Sequence, residues 1–156
     1  MLIKLTRIDF QDAEKLWKMQ VKAFEDLYEK YQDTETSPAT ESIEKIQMRL
    51  SQPYTYYYFI EADDEIVGAI RVVDKKEAET VKRISPIFIM KEYRNKGYAQ
   101  KAIQLVEEIH GSSEWELDTI LQEKANCYLY EKLGYRQTGK TEKINDKLTL
   151  VFYRKD

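Results

Sequence analysis

The sequence predicts an α/β fold built on one mixed central sheet, and three observations lead there. Stretches that alternate apolar and polar residues, "LIKLTRI" and "KLTLVFYRK", stand at the two ends of the chain, the period-two pattern of half-buried strands. Between them, segments whose apolar residues recur every three or four positions are interleaved with further strand-like stretches, as α/β proteins require. The chain has 156 residues, 42% hydrophobic and 34% charged, which suits one soluble domain around one core. A single domain over 1–156 is expected.

Taken in order, Leu2 to Ile8 reads as the first strand. Asp9 can cap a helix, and "AEKLWKMQVKAFEDLYEKY" follows, with Leu16, Met19, Ala23, Phe24, Leu27, Tyr28 and Tyr31 on one face. "QDTETSPAT" is a polar break. Thr40 or Ser42 then opens a shorter helix carrying Ile43, Ile46, Met48 and Leu50, and Pro53 closes that region. "YTYYYFIEA" and "IVGAIRVV", joined by "DDE", read as a hairpin. "TVKRISPIFIM" is the next strand. Pro86 inside it has no N–H to donate, so a bulge or a sheet edge is expected there. Ala99, Ala102, Ile103, Val106 and Ile109 give helical spacing from about Gly97 to His110. "EWELDTI" is a short strand, "KANCYLYEKL" a helix stopped by Gly134. "YRQTGKTEKI" and "KLTLVFYRK" form a closing hairpin around "NDK". The predicted order is β-αα-βββ-α-β-α-ββ.

Charge and composition narrow the function. A net charge of −3 gives no bulk attraction to nucleic acid or to anionic membranes. The start of the chain lacks the apolar core of a signal peptide, and no run approaches the roughly 18 apolar residues of a membrane span. A cytoplasmic protein is expected. Cys127 is the single cysteine, so no internal disulfide forms, and its helical surroundings make it a buried small hydrophobe. His110, the one histidine, sits at a helix end, where the helix dipole favours a cation, and reads as structural. No cluster of metal-ligand type stands out.

Two stretches could hold a phosphate. "GYRQTGKT", Gly134 to Thr141, matches the letters G-x-x-x-x-G-K-[ST]. That motif needs a strand before it and a helix after it, so that helix amides point at the phosphates. Here a helix precedes and a strand follows, so the letters lie between the wrong elements. "YRNKGYAQKAI", Tyr93 to Ile103, has the right context, with a strand running in and a helix running out. Gly97 lets the backbone approach a ligand, Ala99 keeps the next approach small, the first helical turn supplies unpaired N–H groups, and Arg94 and Lys96 add charge. A solvated helix start explains the stretch when it is taken alone.

The element order, Arg94-Asn95-Lys96-Gly97-Tyr98-Ala99, and the later Asn126, Tyr130, "EKL", Gly134 and Tyr135 together resemble the GNAT superfamily of acyl-CoA-dependent N-acetyltransferases. The resemblance runs from about Thr55 to Tyr135. It implies a GNAT-like mixed sheet with a splayed strand pair forming the coenzyme A site, and acetyl-CoA as cosubstrate. It implies that backbone groups of Ile87, Phe88 and Ile89 pair with the pantetheine arm, and that the loop of Arg94, Asn95, Lys96, Gly97, Tyr98 and Ala99 holds the pyrophosphate. It further implies that Asn126 hydrogen-bonds the cofactor near its thioester end or along the pantetheine arm, and that Tyr130 is the proton donor to the leaving thiolate. Asn126 and Tyr130 are four apart and share a helix face, as a common ligand requires.

The sequence departs from the family at one informative place. Where some members carry a strand Glu as general base, this chain has Arg83. Glu61, Glu79 and Asp118 are the substitutes at hand. The implied acceptor is an amine of a small molecule or peptide, with Tyr31, Tyr54, Tyr56, Tyr58 and Arg71 as candidates to line its cleft. The tyrosines and Glu61 suit a cation, whereas Arg71 suits a carboxylate. Neither nucleic acid nor membrane is an expected partner. Homodimers are common among proteins of this resemblance, though nothing in the sequence marks an interface. The missing base leaves a second reading open, a non-catalytic acyl-CoA sensor.

Overall fold

The structure is a computed structural model that describes residues 2–156. Its strands are β1 (Ile3–Arg7), β2 (Thr55–Ala62), β3 (Glu65–Val73), β4 (Lys82–Ile89), β5 (Trp115–Ile120), β6 (Arg136–Lys143) and β7 (Thr149–Lys155). Its helices are α1 (Ala13–Tyr31), α2 (Ile43–Leu50), α3 (Tyr98–His110) and α4 (Lys124–Lys132). The order matches the one predicted. The strands form one sheet in the order β1-β2-β3-β4-β5-β7-β6. Every neighbouring pair is antiparallel except β4 and β5, which α3 connects as a parallel crossover.

The sheet is covered on both faces. Ile60, Ile70, Val72 and Leu117 pack against Ala102, Ile103 and Val106 of α3. Tyr57, Phe59, Ala69 and Phe88 pack against Leu16 of α1 and Ile46 of α2. Strand periodicity therefore sends Tyr57 and Tyr58 to opposite sides. The helix starts follow local chemistry. Asp9 caps a short turn, Phe10–Asp12, that leads into α1. Ser42 Oγ accepts from the Lys45 N–H at 3.2 Å and opens α2.

Two irregularities shape the middle of the sheet. β4 and β5 pair only at Lys82↔Trp115 and Arg83↔Glu116, after which they diverge. On the other side of β4 the register with β3 slips, from Ile70↔Ile87 to Val72↔Ile84. The extra residue is a bulge at Ser85 and Pro86, opposite Arg71, where the proline predicted one. Farther along, Gly68 lies so close to β4 that a Cβ on it would stand 2.1 Å from the Phe88 carbonyl oxygen.

A buried polar chain fixes the end of α3. The His110 imidazole is within 2.7 Å of Asp74 and 2.9 Å of the Tyr58 hydroxyl, and Tyr56 and Trp115 pack edge-on around it. Burial lowers its pKa below the ordinary value and outweighs the opposing pull of Asp74, while Lys76 and Lys82 push it down further. The ring is therefore neutral near pH 7. Its Nδ1–H donates to the Asp74 carboxylate and its Nε2 accepts from the Tyr58 hydroxyl, so the contact with Asp74 is a hydrogen bond and not an ion pair. The structural role expected for His110 holds, but it comes from this chain and not from a charge at the helix end.

Two outcomes are expected. Gly68→Ala forces β3 and β4 apart and costs about 1–3 kcal/mol, read as a lower urea midpoint; an unchanged midpoint would deny the close approach. A His with a lowered folded pKa binds its proton more readily when unfolded. Its contribution is thus present above the ordinary His pKa of about 6.5 and is lost as pH falls below it. His110→Gln should flatten that part of the stability–pH curve, and an unaltered slope would place the titration elsewhere.

Candidate active site

The divergence of β4 from β5 leaves one side of β4 open. Met90 N–H donates to Val67 O at 2.8 Å, outside the ladder proper. The alternation of an antiparallel pair then commits the backbone of Phe88, opposite Ala69, to β3. Ile87 and Ile89 turn their N–H and C=O groups toward the gap. Arg94 takes one of these: its Nε donates to Ile89 O and its Nη2 to Ala23 O, each at 2.8 Å. The guanidinium straps the following loop to β4 and α1.

That loop enters α3 through Asn95 and Gly97, both at positive φ, 64° and 81°. The N–H of Arg94 is used by Lys91 O and that of Lys101 by Gly97 O. Between them, the amides of residues 95 to 99 donate to no carbonyl among the described residues. A Cβ built on Gly97 meets nothing within 4 Å, and Lys96 is exposed beside it. The result is a row of free donors at a helix start with clear space before it, chemistry that fits a diphosphate.

α4 supplies the far wall. Asn126 and Tyr130, one turn apart, line a cavity of about 580 Å³ that runs from the gap to the α1–α2 face. The Tyr130 ring packs against Tyr135 and Tyr153 and is 7% exposed. Its hydroxyl has no hydrogen-bond partner among the described residues. Burial, with the Asp118 charge adding to it, raises its pKa well above the ordinary tyrosine value. The group stays protonated and has a proton to donate.

On the α1–α2 side the cavity is held by paired charges. Glu41 receives Arg49 at 2.8 and 3.0 Å and Gln20 at 2.8 Å, and its own carbonyl accepts from the Trp17 indole. Arg83 reaches across from β4 to pair with Asp118 of β5. Beyond them, Tyr31 and Lys30 at the end of α1 both bind Glu123 at the start of α4, and Asn145 holds the Tyr31 carbonyl at 2.9 Å.

The sequence profile of the acetyltransferase (GNAT) family matches residues 15–135. The chain belongs to the GNAT acetyltransferase family. Solved structures agree on the fold. A PaiA N-acetyltransferase from Thermoplasma acidophilum with coenzyme A is 16% identical, with full coverage of both chains and a TM-score of 0.72. A Vibrio cholerae spermidine N-acetyltransferase with CoA and spermine is 15% identical over 97% of this chain and 93% of the other, TM-score 0.75. The microcin C7 self-immunity acetyltransferase MccE, with acetyl-CoA and AMP, is 17% identical over 97% and 90%, TM-score 0.69. The splayed strands, the free loop amides and Tyr130 occupy one GNAT framework, and acetyl-CoA is the cosubstrate consistent with it.

Within that framework the expected residues separate. Asn126 and Tyr130 line the cavity at the gap, and the loop of 94–99 lies outside that lining, joined to the end of β4 through Arg94 on the Ile89 carbonyl. Phe88 anchors β4, its ring edge-on to Phe24 at 5.8 Å, while the open backbone groups belong to its neighbours. Arg71 lines the cavity, as does Asp118, which Arg83 occupies. Tyr31, Tyr56 and Tyr58 are drawn into other contacts, and Glu61 receives Thr6 beside β1. Glu79 is exposed outside the cavity lining. Cys127 is buried, its thiol 3.8 Å from Ile120 O. "GYRQTGKT" is the start of β6, every strand residue exposed and no helix after it. Arg49 and Glu41, which line the cavity, were missed. Arg49 had a signal, since it lies three residues after the buried Ile46 and shares its face; Glu41 had none.

Gly97→Leu puts a side chain into the clear space before the loop amides. A lost charge-assisted hydrogen bond is worth roughly tenfold or more in affinity, so CoA binding measured by calorimetry should weaken by at least that. Retained affinity would remove the diphosphate from this loop.

Proposed function

We propose that this GNAT protein moves an acetyl group from acetyl-CoA to an amine of a small molecule or peptide, by direct attack, in the gap between β4 and β5. The observation that carries the proposal is the Tyr130 hydroxyl. It is protonated, unpartnered and set on a cavity lined on its other side by Ile87 of the open β4 edge, where Ile87 keeps both backbone groups and Ile89 its N–H, the Ile89 carbonyl being taken by Arg94.

Acetyl-CoA supplies the acyl group and a thiolate leaving group. The chain supplies the rest. Ile87 and Ile89 extend β4 toward the pantetheine amides as a receiving strand edge. The amides of Asn95, Lys96, Gly97, Tyr98 and Ala99 receive the diphosphate, with the Lys96 charge beside them and Arg94 keeping the loop in place. Asn126 donates or accepts along the pantetheine arm. The Ile89 N–H faces the position of the thioester oxygen and stabilises charge that develops there. As the amine nitrogen bonds to the acyl carbon and the C–S bond breaks, Tyr130 O–H gives its proton to the sulfur.

The buried carboxylates of the cavity are all engaged, and the remaining two, Glu35 and Glu142, stand exposed at its rim. Asp118 is held by Arg83, Glu41 by Arg49, and Asp33 by the backbone and hydroxyl of Thr36. The acceptor therefore attacks as the neutral amine and loses its second proton to water. The sensor reading, which Arg83 opened, has no use for an unpartnered phenol at the gap. Residues 1–156 act as one catalytic unit in the cytoplasm, where acetyl-CoA is available, and a homodimer is compatible with this placement.

Tyr130→Phe should lower kcat by about 10²- to 10⁴-fold while CoA affinity moves little; unchanged turnover would remove Tyr130 as the acid. The pH profile of kcat/KM should rise toward the pKa of the acceptor amine and shift with it across acceptors of different basicity. A rising limb fixed near one pH for every acceptor would reveal a base on the enzyme.

A further inference from the structure

The acceptor end of the cavity contains an arginine that the chain itself does not neutralise. Arg71 projects from β3 opposite the β4 bulge. Its Nη1 donates to Ser85 O at 2.8 Å, its Nε is sealed from solvent without a partner, and its Nη2 makes no hydrogen bond among the described residues. The other two cavity arginines are matched: Arg49 is bidentate on Glu41, and Arg83 is paired with Asp118. The cavity carboxylates are spent on those partners or, in Asp33, on capping the turn at Glu35 and Thr36. Glu35 and Glu142 lie at the exposed rim.

The electrostatic surroundings make this costly. Burial lowers the Arg71 pKa, and the positive charges of Arg49 and Arg83 lower it further, outweighing the opposing pull of Tyr57 and Glu41. A guanidinium remains charged all the same. A partly buried cation beside two others, with Nη2 unbound and no carboxylate in contact with it, is a charge that the protein compensates only through the more distant Glu41, itself paired to Arg49. Such a group is stabilised by a planar or tetrahedral oxyanion, which takes two of its donors at once. A polyamine would instead add positive charge beside Arg71.

We propose that the acceptor is an amine that also carries an anionic oxygen group, a carboxylate or a phosphate monoester, and that Arg71 receives this group on the β3 side of the bulge while the amine reaches the gap at Tyr130. The proposal rests on the acetyl-transfer reading and names the acceptor class for it. Arg71 is then a specificity-determining residue, and the bulge has a second function: it aims the Ser85 carbonyl at Arg71 and so fixes the guanidinium.

Thiol release from acetyl-CoA is followed with matched acceptors: an amino acid against its amide, an aminoalkyl phosphate against the amino alcohol, and spermine. The expected result is a kcat/KM for one or both anionic members about ten- to a hundredfold above the neutral partner, carried mainly by KM. The carboxylate and phosphate pairs separate the two sources of charge. Arg71→Gln should erase the preference and Arg71→Lys should restore part of it, with CoA affinity unchanged in both. In parallel, calorimetry in the presence of CoA reads binding of the N-acetylated anionic product, which wild type should bind and Arg71→Gln should not. Equal or better turnover of the neutral members or spermine would overturn the proposal, as would a preference that survives in Arg71→Gln. An absence of product binding to the CoA-loaded wild type would overturn it too. Failure of acetyl-CoA itself to bind would instead strike the acetyl-transfer reading.

Discussion

The structure turns on where β4 stops pairing with β5. Two residue pairs hold the strands together, and then each backbone goes its own way. A continued ladder would use the N–H and C=O groups of Ile87 and Ile89 within the sheet and leave nothing for a ligand. The bulge at Ser85 and Pro86 works on the same point. Proline withholds a donor, and the extra residue bends β4 toward β3, where Gly68 permits an approach that any side chain would block. The strand is thus pulled to one partner and released from the other.

The charged groups around the gap form a second layer on that geometry. Arg83 and Asp118 bridge the two strands just past their last pair, at the place where some relatives keep a carboxylate for catalysis. The bridge helps define the mouth of the gap, and it removes Asp118 from acid–base work. Arg94 fastens the loop that precedes α3 to the end of β4 and to α1. Its backbone position and its side chain therefore serve different ends: the loop amides remain open because the guanidinium holds the chain in the conformation that exposes them. Lys30, Tyr31, Glu123 and Asn145 tie α1, α4 and the β6–β7 turn together on the far side, so the helices walling the cavity are anchored to one another.

Much of this was legible in the sequence because it is local. Element order follows from periodicity, the bulge from one proline, and the loop from Gly97 placed between a strand and a helix. Asn126 and Tyr130 share a face through helical spacing alone. What the sequence hid depends on pairings far along the chain. In "YTYYYFIEA" either set of alternate tyrosines could face the helices α1 and α2; the register with β1 and β3 puts Tyr57 there and sends Tyr56 and Tyr58 to His110. The orientation of His110 needs Asp74, thirty-six positions away, to receive its Nδ1–H, and its neutrality comes from burial that only the folded chain provides. Arg94 looked like a phosphate ligand because nothing nearby in sequence shows that Ala23 lies within its reach. The "GYRQTGKT" letters are the opposite case, a local match whose helix-before, strand-after setting the sequence already set against it, and β6 stands there.

The central claim is that the open edge of β4 and the amides at the start of α3 form one acyl-CoA surface. Amide hydrogen exchange, with and without acetyl-CoA, measures it directly. The claim requires new protection at Ile87, Ile89 and residues 95 to 99 together, with Phe88 protected already in the free protein by its partner β3. Protection confined to the region of β6, or an Ile87 and Ile89 whose exchange is the same in both states, would contradict it.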